Sequence, residues 1–437
     1  MRGGFLLTIS LFVHQGIVAE DIFAGFRGLN DGNASFETEI TAEESSLKLV
    51  QVLFLHGDRN PTMLIPSDTA NSEESWAVDD YNVPRGLGEL TSLGASQMSD
   101  LGEFLRRRYR SHISKRWNKK EIFVRSTDKT RTKMSAQALL SGLFPIERLI
   151  PIHTVPTAGD PMLYDERRCP VGEETRDRTF TELPRALKLE EEWTEFFAFL
   201  KNASGKEKVF LKNVWDIYDP LFVELQQGRQ WPSWMNESLF DKLENITEES
   251  NRLYYHTEKL RRLRGGPLLF EILDRFQQSA KGEQPDLKLY LYSGHDMTLA
   301  ALLSTLGIIP TTYPLYATAM MLELHEREGK HFIEIYHKNE TRLQSIYRYD
   351  LEDCASPCQL DDLYNALSRY HTSDFEKECG IPEKVDRSVF IGVTATLSFT
   401  TLFFMTLAIV MLFLFIKCRY DFRRPHHRGA QIDRAFL

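Results

Sequence analysis

Hydrophobic residues fall along this chain in distinct rhythms. Residues 47–55, LKLVQVLFL, are apolar on both faces without alternation, the pattern of a strand buried in a parallel sheet. EIFVRST and LKLYLYS repeat that pattern in shorter form further on. After the first strand, ASQMSDLGEFLRRRYRSHI sets Met98, Leu101, Phe104 and Leu105 at helical spacing, and KTRTKMSAQALLSGLF predicts a second helix behind EIFVRST. DMTLAALLSTLG predicts a helix ended by Gly307, and TAMMLELHE with HFIEIYHKN predicts a late hairpin. Strand and helix alternate, so the fold class is α/β, a large domain over residues 45–380 built on a central mixed sheet. Between about 187 and 278 strand signals thin out and Trp- and Tyr-bearing helical segments dominate, which predicts an inserted, mostly helical smaller lobe.

The two ends follow other rules. Residues 1–19, MRGGFLLTISLFVHQGIVA, have a basic start, a short apolar run and small residues near Ala19, the form of a secretory signal peptide. Residues 389–416 carry no charge from Val389 to Ile416, more than the roughly 20 apolar residues that cross a bilayer, and predict one C-terminal transmembrane helix. The segment 417–437 holds six Lys/Arg and two Asp. The positive-inside rule makes it a cytoplasmic tail and the protein a single-pass type I membrane protein, its ectodomain luminal or extracellular.

Charge and cysteine usage agree with that placement. The net charge is −9 although the tail is basic, so no nucleic-acid footprint is present. Cys169, Cys354, Cys358 and Cys379 form an even set on the oxidising side, which predicts two disulfides with three connectivities open. Cys418 stands just inside the membrane, a candidate for acylation or a bystander thiol. Sequons at Asn33, Asn202, Asn236, Asn245 and Asn339 predict a glycosylated surface.

Three predicted strands end on polar side chains: the first delivers His56 and Arg59, the second Arg125 and Ser126, the third His295 and Asp296. In open α/β sheets ligands bind beyond the carboxyl ends of the strands. A shared sheet would therefore gather two arginines, two histidines and an aspartate at one edge, an inventory that suits a phosphate monoester. Guanidinium forks match phosphate oxygens, a neutral imidazole can attack phosphorus, and a carboxylic acid can protonate the departing alkoxide. Singly each piece reads as structural: Arg125 as a salt-bridged strand-end residue, His295 as a core histidine, Ser126 as a cap. His112, His153, His325 and His371 share no pattern and are read as structural.

FLHGDRNP, VRSTDKTRTKMSA and YSGHDMTLAALLSTLG resemble the three signature segments of the histidine acid phosphatase family, in particular its lysosomal and prostatic branch. The resemblance runs from about Leu47 to Cys379. It implies His56 as the phosphorylated nucleophile, Asp296 as proton donor, and Arg59, Arg125 and His295 as phosphate binders, with no metal or other cofactor. It also implies the pairings Cys169–Cys379 and Cys354–Cys358; the family's third disulfide has no cysteines here. Its substrates would be small-molecule or peptide phosphate monoesters, and homodimers are common in that branch. One position departs: where the family has arginine before its nucleophilic histidine, this chain has Leu55. Losing one charge-assisted contact costs about 1.5–3 kcal/mol, so a weakened enzyme is expected. The alternative is a pseudophosphatase ectodomain that binds a ligand or partner without turnover. The tail leaves lysosome against cell surface open, because Tyr420 is followed three residues later by Arg423 rather than a bulky apolar residue.

Overall fold

The computed structural model describes residues 34–37, 46–78, 83, 85–147, 149–164, 167–308, 314–339, 346–382 and 387–422. The segment 1–19 expected to be a signal peptide, the sequon at Asn33 and residues 423–437 of the expected tail lie outside the described residues. Two compact units divide the chain at Ile381 and Pro382.

The first unit is organised by an eight-stranded mixed sheet of order β1-β8-β7-β6-β2-β5-β3-β4. Its strands are β1 (Ala34–Glu37), β2 (Leu47–Leu55), β3 (Ile122–Thr127), β4 (His153–Val155), β5 (Leu289–Gly294), β6 (Ala319–Arg327), β7 (Lys330–Lys338) and β8 (Ile346–Tyr349). β2, β5, β3 and β4 run parallel, while β6, β7, β8 and β1 continue antiparallel from β2. The uninterrupted apolar run of β2 serves two cores. Leu49 and Leu53 pack on one face with α8 (Gly266–Ala280) and α9 (Asp296–Thr305); Val50, Val52 and Phe54 pack on the other with α1 (Ser92–Arg108) and α2 (Thr130–Leu143). Burial on both faces is why this strand shows no period of two.

The helical lobe comprises α3 (Pro170–Glu182), α4 (Pro184–Glu192), α5 (Thr194–Ser204), α6 (Trp215–Gln226) and α7 (Glu237–Tyr254) around Phe197, Leu200, Tyr218, Leu221, Phe240 and Leu243. It differs from the sequence expectation at both ends. Helix begins at Pro170 rather than Leu187, and α8, expected in the lobe, packs on the sheet. α3 buries only Gly172, Thr179 and Phe180, so its sequence carries almost no amphipathic signal.

Both disulfides take the pairing that the family resemblance implied: Cys169–Cys379 ties the start of the lobe to the end of this unit, and Cys354–Cys358 closes a short loop. Asn202, Asn236 and Asn245 are exposed. The second unit contains α10 (Arg387–Phe422), whose segment Thr396–Tyr420 is long and apolar enough to cross a membrane.

Candidate active site

The loop after β2 is held by backbone contact. A Cβ on Gly57 would stand 2.2 Å from Gly94 O, and one on Gly94 2.1 Å from Asp58 O, so only glycines let the loop lie against the start of α1. Thr91 caps α1 by accepting from Gly94 N, and its own N–H donates to Asp58 O. Gln97 accepts from Asp58 N (2.8 Å), and Gln227 donates to the Asp58 carboxylate (3.0 and 3.1 Å). The side chain that this scaffold fixes is His56.

His56 is buried, and its Nδ1 lies 2.9 Å from Gly57 O. A carbonyl oxygen only accepts, so Nδ1 carries the proton and Nε2 bears the lone pair. Burial, then the Arg131 and Arg59 charges, hold its pKa well below the ordinary imidazole value of 6.5. The ring is therefore neutral in mildly acidic solution. The same logic fixes His295. Arg131 can only donate, at 3.4 Å to Nδ1, so Nε2–H donates to Thr127 Oγ1 at 3.0 Å. Burial, then Arg131, Arg59 and Lys129, keep this ring neutral too. The two imidazoles lie 5.8 Å apart, centroid to centroid.

Asp296 follows at the first position of α9, its Oδ1 accepting from Met297 N at 2.8 Å. Arg59 donates through both terminal nitrogens to the buried Asp219 carboxylate of α6, at 2.7 and 3.2 Å. Asp219 thereby sets the direction of that guanidinium and, through Thr62, the strand-exit loop. His56, Arg59, Lys129, Arg131, His295 and Asp296 all border one cavity of about 720 Å³.

Arg125 does not. It lies within β3 rather than beyond it, pairs with buried Asp160 at 2.9 Å, and is absent from the cavity wall. Strand alternation puts it on the same face as Phe123, which packs against the α8 and α9 core. The cations that the same segment does supply are Lys129, just before α2, and Arg131, in its first turn. Their signal was available: the start of a helix that follows a parallel strand sits at that strand's carboxyl end, where ligands bind. Asp219 carried no such signal, since its partner is 160 residues away. Tyr316 packs behind His56 without lining the cavity. Its ring stands 5.9 Å from that of His56, in the lobe core, and its buried hydroxyl has no hydrogen-bond partner among the described residues.

Leu55, the last residue of β2, is buried, donates its N–H to Thr318 O, and does not line the cavity. Among the described residues, Glu323, His325 and Glu334 bring potential metal-ligand atoms within 4.8 Å of one another. Those atoms are already engaged by Arg108, Tyr109, Tyr336, Arg327 and Ser46, so the group is a buried ion-pair network.

A neutral imidazole with its lone pair directed away from the backbone, ringed by cations and followed by a carboxyl group, is equipped for phosphoryl chemistry. Comparison with known proteins gives the same class. The profile of the Histidine phosphatase superfamily (branch 2) matches residues 46–338. The chain is 38% identical over 357 residues to "Putative acid phosphatase 5" of Caenorhabditis elegans, covering 79% of this chain and 82% of that protein. It is 34% identical over 351 residues to prostatic acid phosphatase of Bos taurus (77% and 88%), and 32% over 403 residues to lysosomal acid phosphatase of Bos taurus (88% and 90%). The fold is also that of the phytase of Hafnia alvei solved with tartrate: TM-score 0.60, 17% identity, 78% of this chain and all of that one. The chain belongs to the histidine phosphatase superfamily, branch 2, and is a phosphatase of the acid phosphatase type.

Proposed function

We propose that this protein is a membrane-anchored acid phosphatase that hydrolyses phosphate monoesters through a phosphohistidine on His56. The observation that carries the reading is the donation of Nδ1–H to Gly57 O, which leaves Nε2 as the nucleophile in a cavity bordered by Arg59 and Arg131. The Nε2 lone pair attacks phosphorus, and the P–O bond to the leaving group breaks. Asp296 gives its proton to the departing alkoxide. The Asp296 carboxylate then takes a proton from water, whose oxygen attacks the phosphohistidine and returns Nε2 to its starting state. Arg59, Arg131 and His295 hold the non-bridging oxygens throughout, Asp219 fixing Arg59 and Thr127 fixing His295.

α10 anchors the protein, with residues 417–437 cytoplasmic and the phosphatase unit luminal or extracellular, where the two disulfides form. Asn202, Asn236, Asn245 and Asn339 carry glycans in that compartment. Leu55 lowers the rate relative to a site with arginine there, without removing any of the groups that perform the chemistry.

The test uses the full-length chain in detergent micelles with an aryl phosphate at acid pH. Phenol release should proceed and should disappear in His56→Ala. Added glycerol should compete with water for the phosphoryl group, so that phenol exceeds free phosphate. A chain that binds phosphate but releases no phenol would be the ligand-binding pseudophosphatase instead.

A further inference from the structure

The cavity extends past the phosphoryl site along the helical lobe. Its far wall is Arg176 of α3, Lys212 and Asn213 of the short turn Leu211–Asn213, and Asn251 and Tyr254 of α7. Resting on the phosphatase reading above, we infer that this wall is a second anion subsite, and that the preferred substrates are small phosphate monoesters carrying a further phosphate group.

Three observations lead there. The first is charge. Arg59, Lys129, Arg131, Arg176 and Lys212 line the cavity against only Asp216 and Asp296 among the described residues. Burial raises the Asp216 pKa, which weakens its counter-charge further. One phosphoryl group at His56 is met by Arg59 and Arg131, so the lobe-side cations face the remainder of the substrate.

The second is fixation. Tyr254 donates its hydroxyl to Lys212 O at 2.9 Å, and its ring supports the Arg176 guanidinium at 4.7 Å from the centroid. Stacking occupies the face of a guanidinium and leaves its N–H groups directed along the edge, the geometry that grips phosphate oxygens. Lys212 pairs with Asp177, but both side chains are substantially exposed, at 38% and 59%. Such a solvent-screened pair contributes little and yields to a phosphate dianion. The third is room: about 720 Å³ is ample for a small bis-anionic molecule and well beyond what one phosphoryl group fills.

The experiment separates this subsite from the catalysis by using ligands that cannot be hydrolysed. Full-length protein in detergent is titrated by calorimetry with hexane bisphosphonate and with hexyl monophosphonate, together with the butane and octane homologues. Two equivalent ends give the bisphosphonate a twofold statistical advantage. The subsite should add a further factor of about ten at one chain length, from a charge-assisted contact. That factor should shrink with rising salt and disappear in Arg176→Gln/Lys212→Gln, while Arg176→Lys keeps part of it. A ratio of two at every length, or a preference that survives the double variant, overturns the inference. Because no turnover is needed, the result stands whichever way phenol release from aryl phosphate comes out.

Discussion

Two buried charge clusters sit towards opposite ends of β2, and they are balanced in opposite ways. Near its start, Glu323 and Glu334 face His325, Arg108, Arg327 and Tyr109, and each carboxylate has its donors. Arg108 and Tyr109 reach Glu323 Oε1 at 2.9 and 2.6 Å, Arg327 and Tyr336 reach Glu334 at 2.9 and 2.8 Å, and Ser46 completes His325 at 2.8 Å. At the carboxyl end, His56 and His295 are surrounded by Arg59, Arg131 and Lys129 and are pushed towards neutrality. Asp219 balances Arg59, and the excess of cation faces a cavity. The first cluster is complete as folded, because buried charges persist only when paired. The second presents more cations than carboxylates among the described residues of the cavity wall, a balance that suits an anionic substrate. Both contain histidine and carboxylate; what separates structure from site is whether the charged groups border a cavity.

The largest expected effect falls on the complete cluster. Glu323→Ala leaves Arg108 buried beside no carboxylate, at a cost of about 3–5 kcal/mol. The melting temperature of the full-length protein should drop sharply while kcat/KM of the folded fraction stays near wild type. An equal loss of activity would mean that the two clusters are not independent.

Arg131 and Arg125, six residues apart in one segment, sharpen the same contrast. Arg131→Ala should lower kcat/KM on the order of 10²–10³-fold with little change in melting temperature, as expected for loss of an oxyanion donor. Arg125→Ala should do the reverse, destabilising the fold by stranding Asp160. Steady-state kinetics beside thermal denaturation of the two variants decides; matching phenotypes would contradict the assignment.

Leu55→Arg asks whether the site accepts another cation. An increase of about tenfold in kcat/KM is expected from a restored charge-assisted contact. No gain in a folded variant would show that Leu55 is not what limits the rate.

The smallest effect concerns pH. Burial raises the Glu323 and Glu334 pKa values, but Arg108 for Glu323 and His325 for Glu334, with their hydrogen bonds, outweigh it and bring both below the ordinary 4.5. Their stabilisation is present above 4.5 and is lost as pH falls through the folded values. Glu224 in α6 behaves oppositely: burial and then the Asp68 charge push it up to about 9. Its contribution is present below 4.5 and declines as pH rises towards about 9. Glu224→Gln should therefore raise the melting temperature by a few degrees at pH 8 relative to wild type and by less at pH 5. A larger gain at pH 5 would reverse the sign.

The contrast also explains what was legible in the sequence. β2, β3 and β5 are short apolar runs bounded by glycine and polar residues, and His56, Arg59, His295 and Asp296 stand immediately past β2 and β5, where such strands deliver ligands. Arg125 misled because residue type was read without strand phase. It precedes the end of β3 by two residues and faces the core side with Asp160. The start of the lobe was hidden because α3 is polar on nearly every face. The Arg59–Asp219 pair was hidden because a contact between β2 and α6 is a property of packing, which no local pattern encodes.

The central claim is that the Nε2 atom of His56, unprotonated and facing the cations, takes the phosphoryl group. Acid-free quenching of the full-length protein during turnover of a ³²P-labelled aryl phosphate, followed by alkaline digestion, reads the modified nitrogen directly. The account predicts phosphate on Nε2 of His56 and accumulation of that species in Asp296→Asn when an activated phenol is the leaving group. Phosphate on Nδ1, on another residue, or no covalent phosphate in a protein that is turning over would contradict it.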